Sequence, residues 1–217
     1  MLRFYLDQPV SYRRHTAFGP HYNELANTRR TDMDRHGVSF STKRLVVRTP
    51  QAGDGEHYAR YYTTNREFLQ PWSPTFNEDM FSARDWEDSI PLIRGEFASG
   101  KTARFCLFHQ EQMIGVANLT GITRSPSYTC ILSYTLSQSA QGHGFMREGL
   151  APVIEFAFKH RNLHRITANY IPYNQRSGRL LKSLGFQVEG YARDYLLING
   201  IWQDHILTAL RNEQWKP

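Results

Sequence analysis

The stretch from Thr102 to Ser137 constrains this chain most. Its three β-rich runs, Thr102 to His109, Met113 to Ile122 and Tyr128 to Ser137, are separated only by Gln110-Glu111-Gln112 and by a turn around Ser125-Pro126. A parallel return needs a crossover of about a dozen residues or more, so connections this short imply an antiparallel meander. The third run leads into Gln141-Gly142-His143-Gly144-Phe145-Met146, and an amphipathic run begins at Arg147. Two glycines let backbone approach a ligand without Cβ in the way, and the first amides of a following helix point at an anion with the helix dipole behind them. The turn therefore reads as a phosphate cradle.

The flanks supply the remaining layers. Leu45 to Val47 reads as a strand ending at Thr49-Pro50, and Asp54 as the cap of a helix through about Thr64 with Tyr58, Tyr61 and Tyr62 on one face. Phe68-Leu69-Gln70-Pro71-Trp72-Ser73-Pro74 holds two prolines that forbid regular structure, and its aromatics either plug the core or line a substrate site. Ser82, with Asp85 three residues on, caps a helix carrying Trp86, Ile90, Ile93 and Phe97 up to Gly100. After the glycine turn, Met146, Leu150, Val153, Ile154, Ala157 and Phe158 share a helical face as far as Arg161, and Pro152 calls for a kink or a late start. His164 to Ile171 reads as a strand stopped by Pro172, and a short helix follows from about Gln175 to a C-terminal cap at Gly185. Tyr191 to Ile198, Asn199-Gly200 and Trp202 to Leu210 read as a hairpin with a type I′ turn. This order of elements gives a mixed α/β sheet.

The 217 residues suit one domain, from about residue 41 to 217, behind a basic extension over residues 1–40 that bears Arg13, Arg14, Arg29, Arg30 and Arg35. A net charge of +6 favours an anionic partner, a nucleotide cofactor or nucleic acid. Cys106 and Cys130 lack CxxC spacing, and neither they nor the histidines suggest a metal site or a disulfide framework. The cysteine usage fits a reducing cytoplasm, and no targeting segment or membrane-length apolar run is visible.

The cradle is not a nucleotide P-loop, because the frame from Gly144 to Gly149 continues with Leu150-Ala151 and offers no lysine. Nor is it a Rossmann fingerprint, since Arg147 stands where the third glycine belongs. Gln141-x-x-Gly144-x-Met146 instead resembles the [QR]xxGx[GA] signature of the GNAT acetyltransferase superfamily, with Met146 in place of the usual small residue. Asn174-Gln175-Arg176-Ser177, Leu184-Gly185-Phe186 and Glu189-Gly190-Tyr191 follow in the order of that family, so the resemblance spans about Lys43 to Lys216. Leu69-Gln70-Pro71-Trp72, Ile114 to Asn118, Arg165 to Tyr170, Asp194 to Ile198 and Asp204 to Leu210 are similar to the RimJ-type subgroup, the ribosomal-protein alanine N-acetyltransferases. The resemblance implies a GNAT-like mixed, mostly antiparallel sheet of about seven strands flanked by about four helices.

It also implies acetyl-coenzyme A as co-substrate and no metal. The backbone at Tyr134, Thr135 and Leu136 would hold the pantetheine arm and the carbonyl, the turn Gln141, Gly142, His143, Gly144, Phe145 and Met146 the pyrophosphate, and Asn174 the pantetheine. Phe68, Trp72, Tyr170 and Tyr195 would meet the acceptor. The tyrosine acid common in the family is replaced by Leu181; the closest subgroups imply Ser177 as the acid that would protonate the thiolate, though a first-turn serine can equally satisfy the backbone, and the family's strand glutamate is replaced by Ile131. An α-amine with a pKa near 8 is about one-tenth neutral at pH 7, a penalty of about 1.4 kcal/mol, whereas a lysine near 10.4 carries over ~4 kcal/mol. A missing glutamate therefore favours a protein N-terminus as acceptor, with direct attack; the base stays unassigned, Asp194 and Glu67 being candidates that read more readily as solvated charges. In the subgroup the acceptor is the N-terminal alanine of a small-subunit ribosomal protein. Two rivals are a small-amine acetyltransferase acting on a polyamine or antibiotic, and a ribosome- or RNA-binding assembly factor using the basic surface.

Overall fold

The computed structural model describes residues 37–217, and the basic extension lies, up to residue 36, outside the described residues. Twelve principal elements follow in chain order: β1 Ser39–Ser41, β2 Val46–Arg48, α1 Gly55–Leu69, α2 Ala83–Ala98, β3 Ala103–His109, β4 Gln112–Thr120, β5 Thr129–Leu136, α3 Phe145–Glu155, β6 Arg165–Thr167, α4 Gln175–Ser183, β7 Gln187–Ile198 and β8 Ile201–Arg211. The strands form one 8-stranded sheet in the order β1-β2-β3-β4-β5-β6-β8-β7. The eighth is β1, which pairs with β2 through Phe40 and Val47, so the expected domain boundary near residue 40 falls inside a strand.

β3, β4 and β5 are the antiparallel meander. Gln110 and Glu111, both at positive φ, make the tight turn between β3 and β4. Alternation along β3 divides the core. Cys106 and Phe108 pack with Tyr58, Tyr61 and Tyr62 of α1, whereas Phe105 and Leu107 pack with Leu150 and Val153 of α3. Helices thus cover both faces.

The β5 to β6 connection carries α3, which gives the chain room for a parallel return, and these are the one parallel pair in the described sheet. Their ladder runs only from Thr129↔Arg165 to Ile131↔Thr167. Beyond it β5 continues alone to Leu136, while the other branch stays with β8 through Ala168 N–H to Thr208 O (3.0 Å) and Tyr170 N–H to Ile206 O (3.1 Å). The strand expected over His164 to Ile171 is therefore shortened to Arg165–Thr167. The sheet forks there.

Several local expectations change for physical reasons. Asp54 occupies the N-cap position of α1 but gives no side-chain cap; its carboxylate takes Arg48 in a two-pronged pair at 2.6 and 2.7 Å and the Gln51 N–H at 2.7 Å. α1 runs past Thr64 to Leu69, and Pro71 then sits at the start of a 3₁₀ turn over Gln70–Trp72, where a missing N–H costs nothing. α3 starts at Phe145 in spite of Pro152, and its irregularity appears one turn later as a π turn over Phe156–His160. The Ser82 cap, with Asp85 N–H donating at 3.2 Å, and the Asn199-Gly200 turn, with φ of 45° and 78°, form as expected.

Asp54 and Arg48 are both largely enclosed, with side-chain exposures of 5% and 17%. Removing one partner leaves the other charge stranded, so Asp54→Ala should lower the unfolding free energy by about 3 kcal/mol. Urea denaturation measures this, and a loss below ~1 kcal/mol would instead mark the pair as solvated.

Candidate active site

The fork opens onto a cavity of about 1070 Å³. Tyr134, Thr135 and Leu136 of β5 form one wall, Gln141, Gly142, Gly144, Phe145 and Met146 one end, and Asn174 and Ser177 of α4 another side. Phe68, Trp72, Tyr170 and Tyr195 also line it, so all but one of the site residues expected from sequence meet in one space. The exception is His143, which is exposed and packs its ring 5.7 Å from Phe145.

At the turn, Gly142 and Gly144 have φ of 81° and 76°, so glycine is required there by backbone conformation. A Cβ on Gly142 would meet nothing within 4 Å. Gly144 is the N-cap of α3 and supplies no side-chain acceptor, which leaves the first helical amides open toward the cavity end. Met146, long where the signature has a small residue, turns into the core with 6% exposure and leaves the turn clear. Gln141 spends its amide on Leu136 O at 3.2 Å and ties the turn to the end of β5.

A clamp with no sequence signature holds the turn from outside. Arg44 donates to His143 O at 2.9 Å and to Glu148 at 2.7 Å, and its guanidinium lies 4.4 Å from the Phe145 ring centroid. Glu148 also accepts Thr42 Oγ1 at 2.7 Å and the Arg44 N–H at 2.8 Å. About a hundred residues separate the partners in sequence, beyond any spacing rule. On the opposite side, Tyr61 donates to Thr135 Oγ1 at 2.8 Å, and Asn65 accepts the Gln138 N–H at 3.0 Å. α1 thereby braces the free end of β5.

Two hydroxyls meet inside the cavity: Tyr134 Oη and Ser177 Oγ are 2.7 Å apart. Burial pushes the Tyr134 phenol up to about 12, so it holds its proton at neutral pH. Asn174 caps α4 by accepting the Ser177 N–H at 3.2 Å, which leaves the Ser177 hydroxyl for Tyr134. The cysteines are not nucleophiles: burial raises both Cys106 and Cys130 to about 12, and neither lines the cavity.

The far side is aromatic. Trp72 and Tyr173 lie 5.5 Å apart, Asn169 donates to Tyr195 Oη at 3.3 Å, and Asn199 N–H to Ser73 O at 2.9 Å fastens the hairpin tip to the proline loop. The loop Phe68 to Pro74 thus lines the cavity. Asp194 and Glu67, the two carboxylates considered as bases, are absent from the lining, and no described lining residue is acidic. Among the described residues no cluster could hold a metal ion, and no helix is long and apolar enough to cross a membrane.

Burial would raise the Glu148 carboxyl, but its hydrogen bonds from Thr42 and Arg44 outweigh this and hold it below its usual value. A depressed carboxylate gives stability above its unfolded pKa that is lost as pH falls through the folded one. Glu148→Gln should therefore melt below the unaltered protein at pH 7, with the gap closing below about pH 4, as followed by thermal denaturation across pH.

Comparison with known proteins fits this geometry. The family model described as acetyltransferase (GNAT) domain matches residues 44–187. The ribosomal protein uS5-alanine N-acetyltransferase of Escherichia coli strain K12 is 42% identical over 182 residues, 83% of this chain and 94% of that protein. A crystal structure of ribosomal-protein-S5-alanine acetyltransferase from Vibrio fischeri superposes with a TM-score of 0.80 at 36% identity, covering 83% of this chain and all of that one. Mycobacterium smegmatis RimJ, solved with CoA-disulfide, shares the fold at a TM-score of 0.75 and 24% identity, over 82% of this chain and 88% of its own. With a forked sheet, a glycine turn heading α3 and a family match over most of its length, this chain belongs to the GNAT acetyltransferases.

Proposed function

We propose that the protein transfers an acetyl group from acetyl-coenzyme A to the α-amine of an N-terminal alanine on a small-subunit ribosomal protein. The observation that carries this reading is one continuous cavity joining the glycine turn to an aromatic acceptor wall, in a chain 42% identical to a uS5-alanine N-acetyltransferase. The same reading puts the enzyme in the cytoplasm, where its positive charge favours approach to the ribosome.

Acetyl-coenzyme A supplies the activated acetyl group, and the residues present suit it. Open amides from Gly144 to Arg147 would take the pyrophosphate, the Gln141 strut and the Arg44 clamp would hold them in place, and His143 would stay outside. Asn174 and the backbone of Tyr134, Thr135 and Leu136, unpaired on the fork side, would receive the pantetheine arm and the carbonyl. Ser177 would protonate the departing thiolate, with its own proton replaced from Tyr134. Phe68, Trp72, Tyr170 and Tyr195 would enclose the first residues of the acceptor. A ternary complex with direct attack suits a cavity without a thiolate, and an α-amine suits one without a carboxylate.

Peptides with a free N-terminal alanine should be acetylated and the same peptides blocked at that amine should not; equal rates on both would sink the reading. Ser177→Ala should lower kcat by about 10²-fold with the KM for acetyl-coenzyme A little changed, and Tyr134→Phe by about tenfold, in steady-state assays. An unchanged kcat in both variants would remove the hydroxyl pair from the mechanism.

A further inference from the structure

His205 lines the cavity, is 4% exposed, and belongs to no part of the mechanism above. Its placement follows from strand register. Ile131 of β5, Thr167 of β6 and Ala209 of β8 stand side by side at the last rung before the fork. Four residues onward along β5 is Thr135, and four residues back along β8 is His205; at ~3.3 Å per residue both lie about 13 Å beyond the split. The histidine thus faces the cleft at the same level as the β5 backbone assigned to the acetyl carbonyl.

Its tautomer is also set. Nδ1 lies 2.9 Å from Gln203 O, and a carbonyl only accepts, so Nδ1 carries the hydrogen and, in the neutral ring, the lone pair falls to Nε2. Among the described residues Nε2 has no hydrogen-bond partner. From β7, the Tyr195 ring packs 5.4 Å away, and from the segment after β6, Tyr170 shares the cavity wall. On its own strand, Asp204 accepts the Tyr191 hydroxyl and the Asp194 N–H, and Arg193 lies near enough to act on that carboxylate. The other ionisable lining residues are tyrosines and the arginines Arg147, Arg176 and Arg179. Among the described lining residues His205 is the one that offers a side-chain nitrogen lone pair to the cleft.

We propose that His205 Nε2 is the general base that takes the proton from the acceptor's α-ammonium. The assignment rests on the N-terminal acetyltransferase reading. The amine nitrogen bonds to the acetyl carbon as the carbon–sulfur bond breaks. The ammonium proton passes to Nε2 and on to solvent, the second amine proton lost on forming the amide leaves by the same route, and the thiolate takes one from the Tyr134–Ser177 pair, which is refilled from water. Starting from the ammonium, one proton is released per turnover.

The test is the pH dependence of kcat/KM for a free-alanine peptide, measured with the full chain as His205→Gln and His205→Ala, alongside titration with acetyl-coenzyme A. His205→Gln should bind acetyl-coenzyme A as the unaltered enzyme does and lose about 10²-fold in kcat/KM at pH 7, the gap shrinking toward about pH 9 as the amine loses its proton unaided. Added imidazole should restore part of the activity of His205→Ala and none of that of Ser177→Ala. A His205→Gln rate equal to the unaltered one across this range would overturn the base while leaving the acetyltransferase reading intact. A loss equal at every pH and untouched by imidazole would also overturn it and leave His205 as packing for Tyr195. Should His205→Gln fail to bind acetyl-coenzyme A, the imidazole response of His205→Ala decides. If the unaltered enzyme acetylates no free-alanine peptide, the functional reading falls and the base with it.

Discussion

The parting of β5 from β6 after Ile131 and Thr167 is the constraint on which the rest depends. A sheet that kept pairing would satisfy every backbone group of β5 and leave no cleft. One that parted without support would expose a ragged edge, a risk for any unpaired strand. Here β5 keeps its β4 partner as far as Leu136, so only one edge is freed, and the other branch recovers its bonds from β8. The cavity is the volume between two branches that are each still paired on their outer side.

Holding that shape takes reinforcement from distant parts of the chain. Tyr61 and Asn65 pin β5 and the turn after it from the α1 side, and Arg44 pins the glycine turn from the β1–β2 connection. Burial raises the Tyr61 phenol, so the hydrogen bond to Thr135 is made by a neutral hydroxyl. Glu148 sits in the first turn of α3, where a carboxylate would compete with an anionic ligand for the open amides; binding Thr42 and Arg44 turns its charge away from them. The clamp therefore fixes the turn and holds the Glu148 carboxylate away from the open amides.

Local chemistry was legible in the sequence, and contacts across the sheet were not. The meander, the Ser82 cap and the Asn199-Gly200 hairpin rest on neighbours within a few residues, and all three form. Asp54 looked like a cap because its position suits one, yet Arg48 from the adjoining strand offered a stronger partner. His164 to Ile171 has the composition of one long strand, but where pairing stops depends on β5, a different part of the chain. Arg44, Glu148, Tyr61 and Asn65 carried no signal, since arginine, glutamate, tyrosine and asparagine at those places read equally well as surface or helix residues. Nearly all the site residues that the family resemblance named line the cavity, but it passed over His205, whose use depends on a tautomer set by Gln203 O.

The charge of the cavity links its two ends. Arg147, Arg176 and Arg179 line it and no described lining residue is acidic, so the space favours the phosphates of a coenzyme and disfavours a cation. An ammonium brought close to it is pressed toward its neutral form, as any charged group is by neighbours of like sign. For an α-amine, already near its pKa at neutral pH, that pressure supplies much of what attack on the acetyl carbon needs. For a lysine or a polyamine it is a barrier, because the first proton is held too tightly and further positive charges follow it in. On the proposed reading, the arginines that would suit the donor would thus help select the acceptor, and the aromatic wall of Phe68, Trp72 and Tyr195 would close around an apolar first residue with no carboxylate to hold a second charge.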